Sequence, residues 1–308
     1  MTDAVDLAGQ LFANRVFAAA GCAGTGRELP PQADLAGLGA VITRSITPEA
    51  RAGLAAPRLA ETPSGLVNAL GLPGPGVEGF LADELPWLVE HGAAVIVSIA
   101  AESAADYARL AQRLRQVTGI VAVEVNLSNP VTDSGRLPVA MDAGLAGGVV
   151  HAVRRNTAAG IPVLAKLAGD TTDVVAVARA CAGAGADGVS LINAVRGMGI
   201  DVATGQPSLG AWLGGLSGPA IKPIALRAVW EVHAALPELP IIASGGVRTG
   251  TDAAEMMMAG ASAVSIGTAL LTDPAAGARI REELAVIAAQ REGGYAGLLG
   301  CAHREVTA

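Results

Sequence analysis

Apolar runs of strand length alternate with segments of helical period along most of the chain. The strand-like runs are rich in Val, Ile, Leu and Ala, and six of the eight end at small or polar residues. We predict eight strands from this pattern, at Val16–Gly21, Gly39–Ser45, Ala93–Ala100, Val121–Ser128, Pro162–Leu167, Gly188–Ala194, Ile241–Gly246 and Ala263–Leu270. Helices are predicted between several of them, at Ala104–Gln116, Thr172–Ala184, Pro219–Leu236 and Thr251–Ala259.

This alternation predicts an α/β fold. Eight parallel strands in strict alternation with helices indicate a closed (β/α)8 TIM barrel rather than an open doubly wound sheet. We expect one domain over residues 1–308, with a short N-terminal extension, 1–15, that covers the barrel bottom. Two long stretches, about 46–79 and 129–143, follow strand ends and are expected to be active-site loops.

Two successive strands end in glycine beside a small hydroxyl residue. One run closes with Ser244, Gly245 and Gly246, and the next with Gly267 and Thr268. Glycine lets backbone N–H groups approach a ligand closely and adopts positive φ. The loops after strands 7 and 8 form the phosphate site of many barrels of this type. The sequence therefore predicts a ligand that carries a phosphate.

Composition and charge exclude several classes of protein. The chain is 51% hydrophobic and 3% aromatic, so Ala, Val, Leu and Ile must build its core. The net charge of −7 and the lack of a basic cluster argue against nucleic acid. No apolar stretch reaches the roughly 18 uncharged residues of a membrane span, and the acidic N-terminus does not resemble a signal peptide. We therefore expect a cytoplasmic protein. The three cysteines are too far apart in sequence to form a zinc or iron–sulfur motif.

Polar residues at the strand ends are expected to meet at one mouth of the barrel. They are Arg44, Ser45, Ser98, Asn126, Ser128, Lys166, Asn193, Ser244 and Thr268, joined by Asn68 from the first long loop. Amides suit a planar ligand with alternating donors and acceptors. Lys166 suits a ligand that becomes an anion, whereas Lys222, early in a helix, is expected to be solvated or structural. The set holds no histidine or carboxylate, so we expect no metal site.

Several segments resemble class 1 dihydroorotate dehydrogenases, especially the class 1B subunit. The similar segments are 58–76, which includes Thr62-Pro63-Ser64-Gly65-Leu66-Val67-Asn68-Ala69-Leu70-Gly71-Leu72-Pro73, then 185–188 leading to 192–193, and 214–223, together with the Gly245-Gly246 and Gly267-Thr268 pairs. The resemblance implies an FMN-containing barrel. It also implies oxidation of dihydroorotate, or a related small planar or carboxylated substrate, by hydride transfer to flavin N5.

The resemblance also assigns roles to residues. The FMN phosphate would be held by Gly218, Gly245, Gly246, Gly267 and Thr268. The rest of the flavin site would comprise the backbone of Ala20 and Gly21 with Ser45, Asn126, Lys166 and Ile192. Lys166 would lie at the flavin N1/O2 edge, where positive charge stabilises the reduced anion. Orotate would be bound by Asn68, Leu70, Gly71, Leu72, Asn126 and Asn193.

The chain departs from the family at the position of the residue that removes the substrate proton. The family sequence Asn-Leu-Ser-Cys-Pro-Asn, whose cysteine is the catalytic base, ends here in Asn129, Pro130 and Val131. A carboxamide has no basic lone pair near neutral pH, so Asn129 marks a lost base. Arg44 replaces the family lysine of strand 2, and Arg does not substitute freely for Lys in a close-packed site. Ser128 and Cys22 are the alternative candidates for the base.

A further departure lies next to a predicted substrate residue. Ala194 stands where the family usually has Thr or Ser after Asn193.

Four hypotheses remain open from the sequence. They are a dihydroorotate dehydrogenase with an altered site, a paralogous FMN oxidoreductase with another substrate, a non-catalytic FMN-binding subunit, and a flavin-free sugar-phosphate enzyme. The class 1B resemblance implies a homodimer that pairs with an iron–sulfur and FAD electron-transfer subunit.

Overall fold

The computed structural model describes residues 3–24, 27–28, 33–128 and 139–303. Its strands are β1 Val5–Leu7, β2 Gln10–Phe12, β3 Val16–Ala18, β4 Val41–Ile42, β5 Leu59–Thr62, β6 Gly65–Asn68, β7 Val95–Ile99, β8 Ile120–Asn126, β9 Val163–Leu167, β10 Gly188–Leu191, β11 Val195–Gly197, β12 Ile200–Asp201, β13 Gln206–Pro207, β14 Gly214–Ser217, β15 Ile241–Ser244 and β16 Ala263–Ile266.

The helices are α1 Gly76–Gly79, α2 Leu85–Glu90, α3 Ala104–Leu114, α4 Ala143–Asn156, α5 Val174–Gly183, α6 Lys222–Ala235, α7 Gly250–Met258, α8 Thr268–Thr272, α9 Ala276–Ala289 and α10 Gly294–Leu298. A π-helical turn, Phe80–Glu84, joins α1 to α2, and a 3₁₀ turn, Pro219–Ile221, leads into α6.

Eight strands close into a parallel barrel in the order β3, β4, β7, β8, β9, β10, β15 and β16, with β16 pairing β3. Seven of these strands lie inside a predicted run and β8 begins one residue before its run, at Ile120, so the predicted (β/α)8 barrel is confirmed. The four predicted helices are also present, with ends shifted by a few residues. Helix α3 shows why they form, because Ser103 caps its N-terminus and Tyr107, Leu110, Ala111 and Leu114 form one buried face.

Alternate residues of each barrel strand face opposite sides. Val123 and Val125 of β8 belong to the large cluster packed between strands and helices, whereas Ala122 belongs to a separate cluster inside the barrel. Period two therefore places Glu124 and Asn126 on the interior side, above Ala122. The interior is apolar at the bottom and becomes polar toward the carboxyl ends of the strands.

The N-terminal hairpin β1–β2 closes the bottom of the barrel. Val5, Leu7 and Phe12 are buried in the same cluster as the interior residues Phe17 and Ile42. This contact agrees with the expected cover at the barrel bottom. It also means that ligands reach the interior from the opposite, carboxyl-terminal end.

The stretch 46–79 is not a simple loop. It contains the hairpin β5–β6 and helix α1, and β6 pairs antiparallel with β14 to give a four-stranded sheet in the order β11-β14-β6-β5. Of the second expected loop, 129–138 lies outside the described residues. A 3₁₀ turn at Val139–Met141 follows, and α4 begins at Ala143.

Candidate active site

A cavity of about 820 Å³ lies at the carboxyl ends of the barrel strands and is bordered by the β5–β6 hairpin. This volume is typical of sites for small molecules and cofactors, which span roughly 300–1,000 Å³. Every predicted cofactor-binding residue lines it, namely Ala20, Gly21, Ser45, Asn126, Lys166, Ile192, Gly218, Gly245, Gly246, Gly267 and Thr268. The predicted substrate residues do so as well, namely Asn68, Leu70, Gly71, Leu72, Asn126 and Asn193.

The glycines at one end of the cavity have no room for a side chain. Gly218, Gly245 and Gly246 adopt φ values of +95°, +124° and +77°. A Cβ atom on Gly246 would lie 2.6 Å from Cβ of Lys222, and one on Gly218 would lie 2.8 Å from Cα of Gly65. The backbone itself therefore forms this wall, which is the arrangement that a bound phosphate requires. The observed cradle fits a bound phosphate group.

Lys166 projects into the barrel beneath the cavity. It is 4% exposed, and its Nζ lies 4.0 Å from Oε2 of Glu124, which is fully buried. Both side chains line the cavity. The second lysine differs, because Lys222 forms ion pairs with Asp252 at 2.7 Å and Glu255 at 2.8 Å, tying α6 to α7. The predicted structural role of Lys222 agrees with these contacts.

A chain of amides and hydroxyls runs along one wall. Asn193 Nδ2 donates to Ser128 Oγ at 3.0 Å and to Asn126 Oδ1 at 3.3 Å. Asn126 Nδ2 donates to Ser45 Oγ at 2.8 Å, and Ser45 lies 3.1 Å from Ser98 across their hydroxyl oxygens. The network fixes both amides, so their orientation relative to a ligand is set before binding.

The segment from Asn68 to Leu72 forms another part of the cavity wall. Asn68 Nδ2 donates to the carbonyl oxygen of Gly215 at 3.0 Å, which joins β6 to β14. Gly71 and Leu72 both adopt positive φ, at +73° and +54°. A Cβ on Gly71 would lie 2.7 Å from Leu54 Cγ, so this turn requires glycine.

Arg44 stands at the edge of the cavity in an acidic setting. Its guanidinium is hydrogen-bonded to Glu28, and both residues line the cavity. Burial raises the pKa of the nearby Glu84 carboxyl, with Arg44 acting in the opposite direction. The guanidinium of Arg44 is therefore held in place by Glu28 and is not a freely mobile cation.

The three candidate positions for proton removal have different surroundings. Asn129 lies outside the described residues. Ser128 is 1% exposed and sits behind the cavity wall, bonded to Asn126 and Asn193. Burial raises the pKa of the Cys22 thiol to about 11, and the nearby Lys166 charge only partly opposes this. Cys22 therefore lines the cavity as a neutral thiol near pH 7.

The cavity contains carboxylates that the predicted set of mouth residues lacks. Glu28, Glu61 and Glu124 all line the cavity. Glu124 escapes prediction because it lies within an apolar strand run, where the sequence alone does not show which side faces the barrel interior. A charged residue two positions before Asn126 is the available signal, since period two places both on one face.

Within the described residues, no group of three or more His, Cys, Asp or Glu side chains is arranged to hold a metal ion. Over the same ranges, no helix has both the length and the apolar character needed to cross a membrane.

Comparison with known proteins gives a consistent result. The family model for dihydroorotate dehydrogenase matches residues 3–287. The chain is 48% identical over 281 residues to the dihydroorotate dehydrogenase B (NAD(+)) catalytic subunit of Desulforudis audaxviator, covering 91% of each chain. It is 44% identical over 271 residues to the protein of the same name from Anoxybacillus flavithermus, covering 88% of this chain and 86% of that one.

A solved structure shares the fold. The dihydroorotate dehydrogenase of Eimeria tenella, crystallised with ferulenol, matches with a TM-score of 0.82 at 23% identity, over 99% of this chain and 89% of the other. The predicted resemblance is therefore confirmed by both sequence and fold. The chain belongs to the dihydroorotate dehydrogenase family of flavin-dependent oxidoreductases.

Proposed function

We propose that this protein binds FMN and oxidises dihydroorotate or a closely related small, planar, carboxylated substrate. The observation that carries the proposal is the convergence of three features on one cavity: a glycine cradle, a buried lysine and a set of fixed amides. Gly218, Gly245 and Gly246 would hold the phosphate by backbone contact. Lys166 would offset the negative charge of the reduced flavin.

The amides favour a ring with alternating donors and acceptors. Asn68, Asn126 and Asn193 line the same cavity, and each is already fixed through a bond to a neighbouring group. A preorganised amide loses little freedom on binding, which raises affinity and selects for the matching ring edge. The similar proteins named as dihydroorotate dehydrogenase B catalytic subunits make dihydroorotate the first substrate to test.

A bound flavin would supply the hydride acceptor for the substrate, and the substrate carbon next to the hydride donor would have to release a proton. The protein's own residues bind and orient the ring and exclude water from it. Cys22, which lines the cavity, is not a ready thiolate near pH 7, because its pKa is raised to about 11. Ser128 instead donates to and accepts from amides, so we assign it to positioning Asn126 and Asn193.

A second candidate is oxidation of a different substrate by the same cofactor site. Four sequence departures favour it, namely Arg44, Asn129, Val131 and Ala194. Loss of a general base typically lowers the rate about 10²–10⁴-fold. Restoring the family residues as Asn129→Cys, Val131→Asn and Arg44→Lys together should raise dihydroorotate oxidation by more than the sum of single changes, because neighbouring residues couple.

Anaerobic stopped-flow spectroscopy tests the proposal. The purified protein is loaded with FMN, mixed with L-dihydroorotate, and compared with dithionite as a substrate-independent reductant. Reduction by dihydroorotate at a catalytic rate supports the first candidate. Reduction by dithionite alone favours the second candidate. A chain that stays colourless after incubation with FMN contradicts both.

We also propose assembly with a second copy of this chain and with an electron-transfer subunit carrying an iron–sulfur cluster and FAD. One support is the term "catalytic subunit" in the names of the similar proteins. The other is a set of exposed apolar side chains on or next to strands β5, β11, β12 and β14. These side chains are Leu59, Met198, Ile200, Val202 and Trp212. Exposed apolar side chains of this kind are typical of interaction surfaces when they are contiguous. Light scattering of the purified chain and co-purification with a co-expressed partner test the two associations.

A further inference from the structure

Glu124 is an unusual group for the interior of a barrel. Its side chain is fully buried in the centre of β8, yet it lines the floor of the cavity. Neither carboxylate oxygen has a hydrogen-bond partner among the described residues. Among the described residues, its one charged contact is with Lys166, whose Nζ lies 4.0 Å from Glu124 Oε2. This distance is longer than a hydrogen bond.

Such a group is costly for the fold. A buried carboxylate loses its hydration, and an ion pair regains that loss only with close geometry and further hydrogen bonds. The surroundings do not supply them, because the interior hydroxyls of Ser190 and Ser265 are likewise buried without partners in the described chain. Stability therefore does not explain why a carboxylate lies here. The electrostatic effect of the carboxylate on the cavity does explain it.

We propose that Glu124 is a positioning residue that sets the charge presented to the flavin by Lys166. The inference rests on the proposed binding of FMN in this cavity. With both groups ionised, the pair adds no net charge below the ligand, whereas Lys166 alone would add a full positive charge. Glu124 would therefore keep the reduction potential of the bound flavin lower than an unpaired lysine would, and would fix the position of the ammonium group.

The test is Glu124→Gln, which removes the charge and keeps the shape. The midpoint potential of bound FMN is measured with the xanthine oxidase dye method, and sulfite affinity is measured by the loss of flavin absorbance. Neither measurement requires a substrate. We expect sulfite to bind about tenfold more tightly, and reduced FMN to be favoured about tenfold over oxidised FMN, which equals about 30 mV for a two-electron couple.

Two control variants separate charge from packing. Glu124→Asp keeps the charge and should stay near the wild-type potential, whereas a packing role would make it the more disruptive change. Ser190→Ala removes an interior hydroxyl without changing charge and should leave the potential unchanged. A wild-type potential and sulfite affinity in Glu124→Gln would overturn the assignment.

A second pair of variants serves if Glu124→Gln does not fold. Lys166→Met is compared with the double variant Lys166→Met/Glu124→Gln, which removes both charges at once and so leaves neither unpaired. The double variant should have the higher potential of the two, and equal potentials would overturn the proposal. If the wild-type chain binds no FMN, the proposed function and this inference fail together. If FMN binds and dihydroorotate does not reduce it, the role of Glu124 is still measured in full.

Discussion

Replacing Gly246 with alanine should test whether the glycine cradle holds the cofactor phosphate. Gly246 has a φ of +77°, and its new Cβ would lie 2.6 Å from Lys222 Cβ and 2.9 Å from Lys222 Cα and N. The last two atoms belong to the backbone at the start of α6, so rotation of a side chain cannot relieve the contact. The loop or the helix must move by several tenths of an ångström or more.

The expected cost has two parts. A left-handed backbone costs an alanine about 1–2 kcal/mol, and overpacking costs about 1–3 kcal/mol more. Gly160 supplies the matched control, since its φ is +82° and nothing lies within 4 Å of the position that a Cβ atom would take there. Gly160→Ala should therefore show the backbone cost alone. The difference in unfolding free energy between the two variants should be about 1–3 kcal/mol.

Binding of FMN should separate the variants further. Displacing the Gly246 backbone should remove a hydrogen bond to a charged phosphate, worth about 1.5–3 kcal/mol, so the Kd should rise roughly tenfold to a hundredfold. Gly160 precedes β9 at the opposite end of the barrel, and Gly160→Ala should bind FMN as the wild type does. Thermal unfolding of the FMN-free protein and fluorescence titration with FMN give the two measurements. Equal FMN affinity in Gly246→Ala and wild type would refute the cradle.

Lys166→Ala should weaken FMN binding or slow its reduction, and should lower stability by about 3–5 kcal/mol because Glu124 is left buried and unpaired. Lys222→Ala should lose only the ion pairs that join α6 to α7, and equal effects of the two changes on bound FMN would contradict this assignment. Iodoacetamide should alkylate Cys22 in the FMN-free protein slowly at pH 8 and faster as pH approaches about 11, since only the thiolate reacts; a plateau near pH 8 would contradict the raised pKa. Ser128→Ala should raise the KM for substrate more than the Kd for FMN, because Asn193 loses its 3.0 Å partner whereas Asn126 keeps its 2.8 Å bond to Ser45, and an unchanged KM would argue against a positioning role.

The barrel could be predicted from the sequence because each of its strands is a local signal. Every barrel strand overlaps an apolar run of strand length, and helical segments separate most of the runs. The strand ends then place the cavity residues, since parallel strands of a barrel end on one face. Lys166 and the paired glycines at 245 and 246 could thus be assigned to one mouth from their positions alone.

The four-stranded sheet β11-β14-β6-β5 could not be predicted, because it depends on pairing between segments that are distant in the sequence. Strand β6 joins β14 through Asn68 and Gly215, which are 147 positions apart. In β5, exposed and half-buried residues alternate without a fully buried side, so this strand lacks the buried apolar face that marks a strand in a sequence. Its position over the cavity follows from the tertiary pairing.

Glu124 shows a different limit of prediction from the sequence. Its neighbours Val123 and Val125 make the run read as a buried strand, and a sequence does not state which alternate set faces inward. Once Asn126 is placed at the mouth, period two requires Glu124 to face the interior as well. Glu124 could therefore have been assigned to the interior from the predicted barrel and the predicted place of Asn126, by extending period two back along the strand.

The two halves of the cavity are constrained by different physics. The phosphate end is built from glycine backbone whose Cβ positions are filled by neighbouring elements, so almost any substitution there disturbs the packing. The substrate end is lined by side chains such as Arg44 and Asn193, which can be exchanged without moving the barrel. A chain of this family can therefore keep its flavin site while its substrate pocket changes. The departures at Arg44 and Ala194 fall on the second half, which is why reduction of FMN by dihydroorotate, rather than FMN binding, is the decisive measurement for this protein.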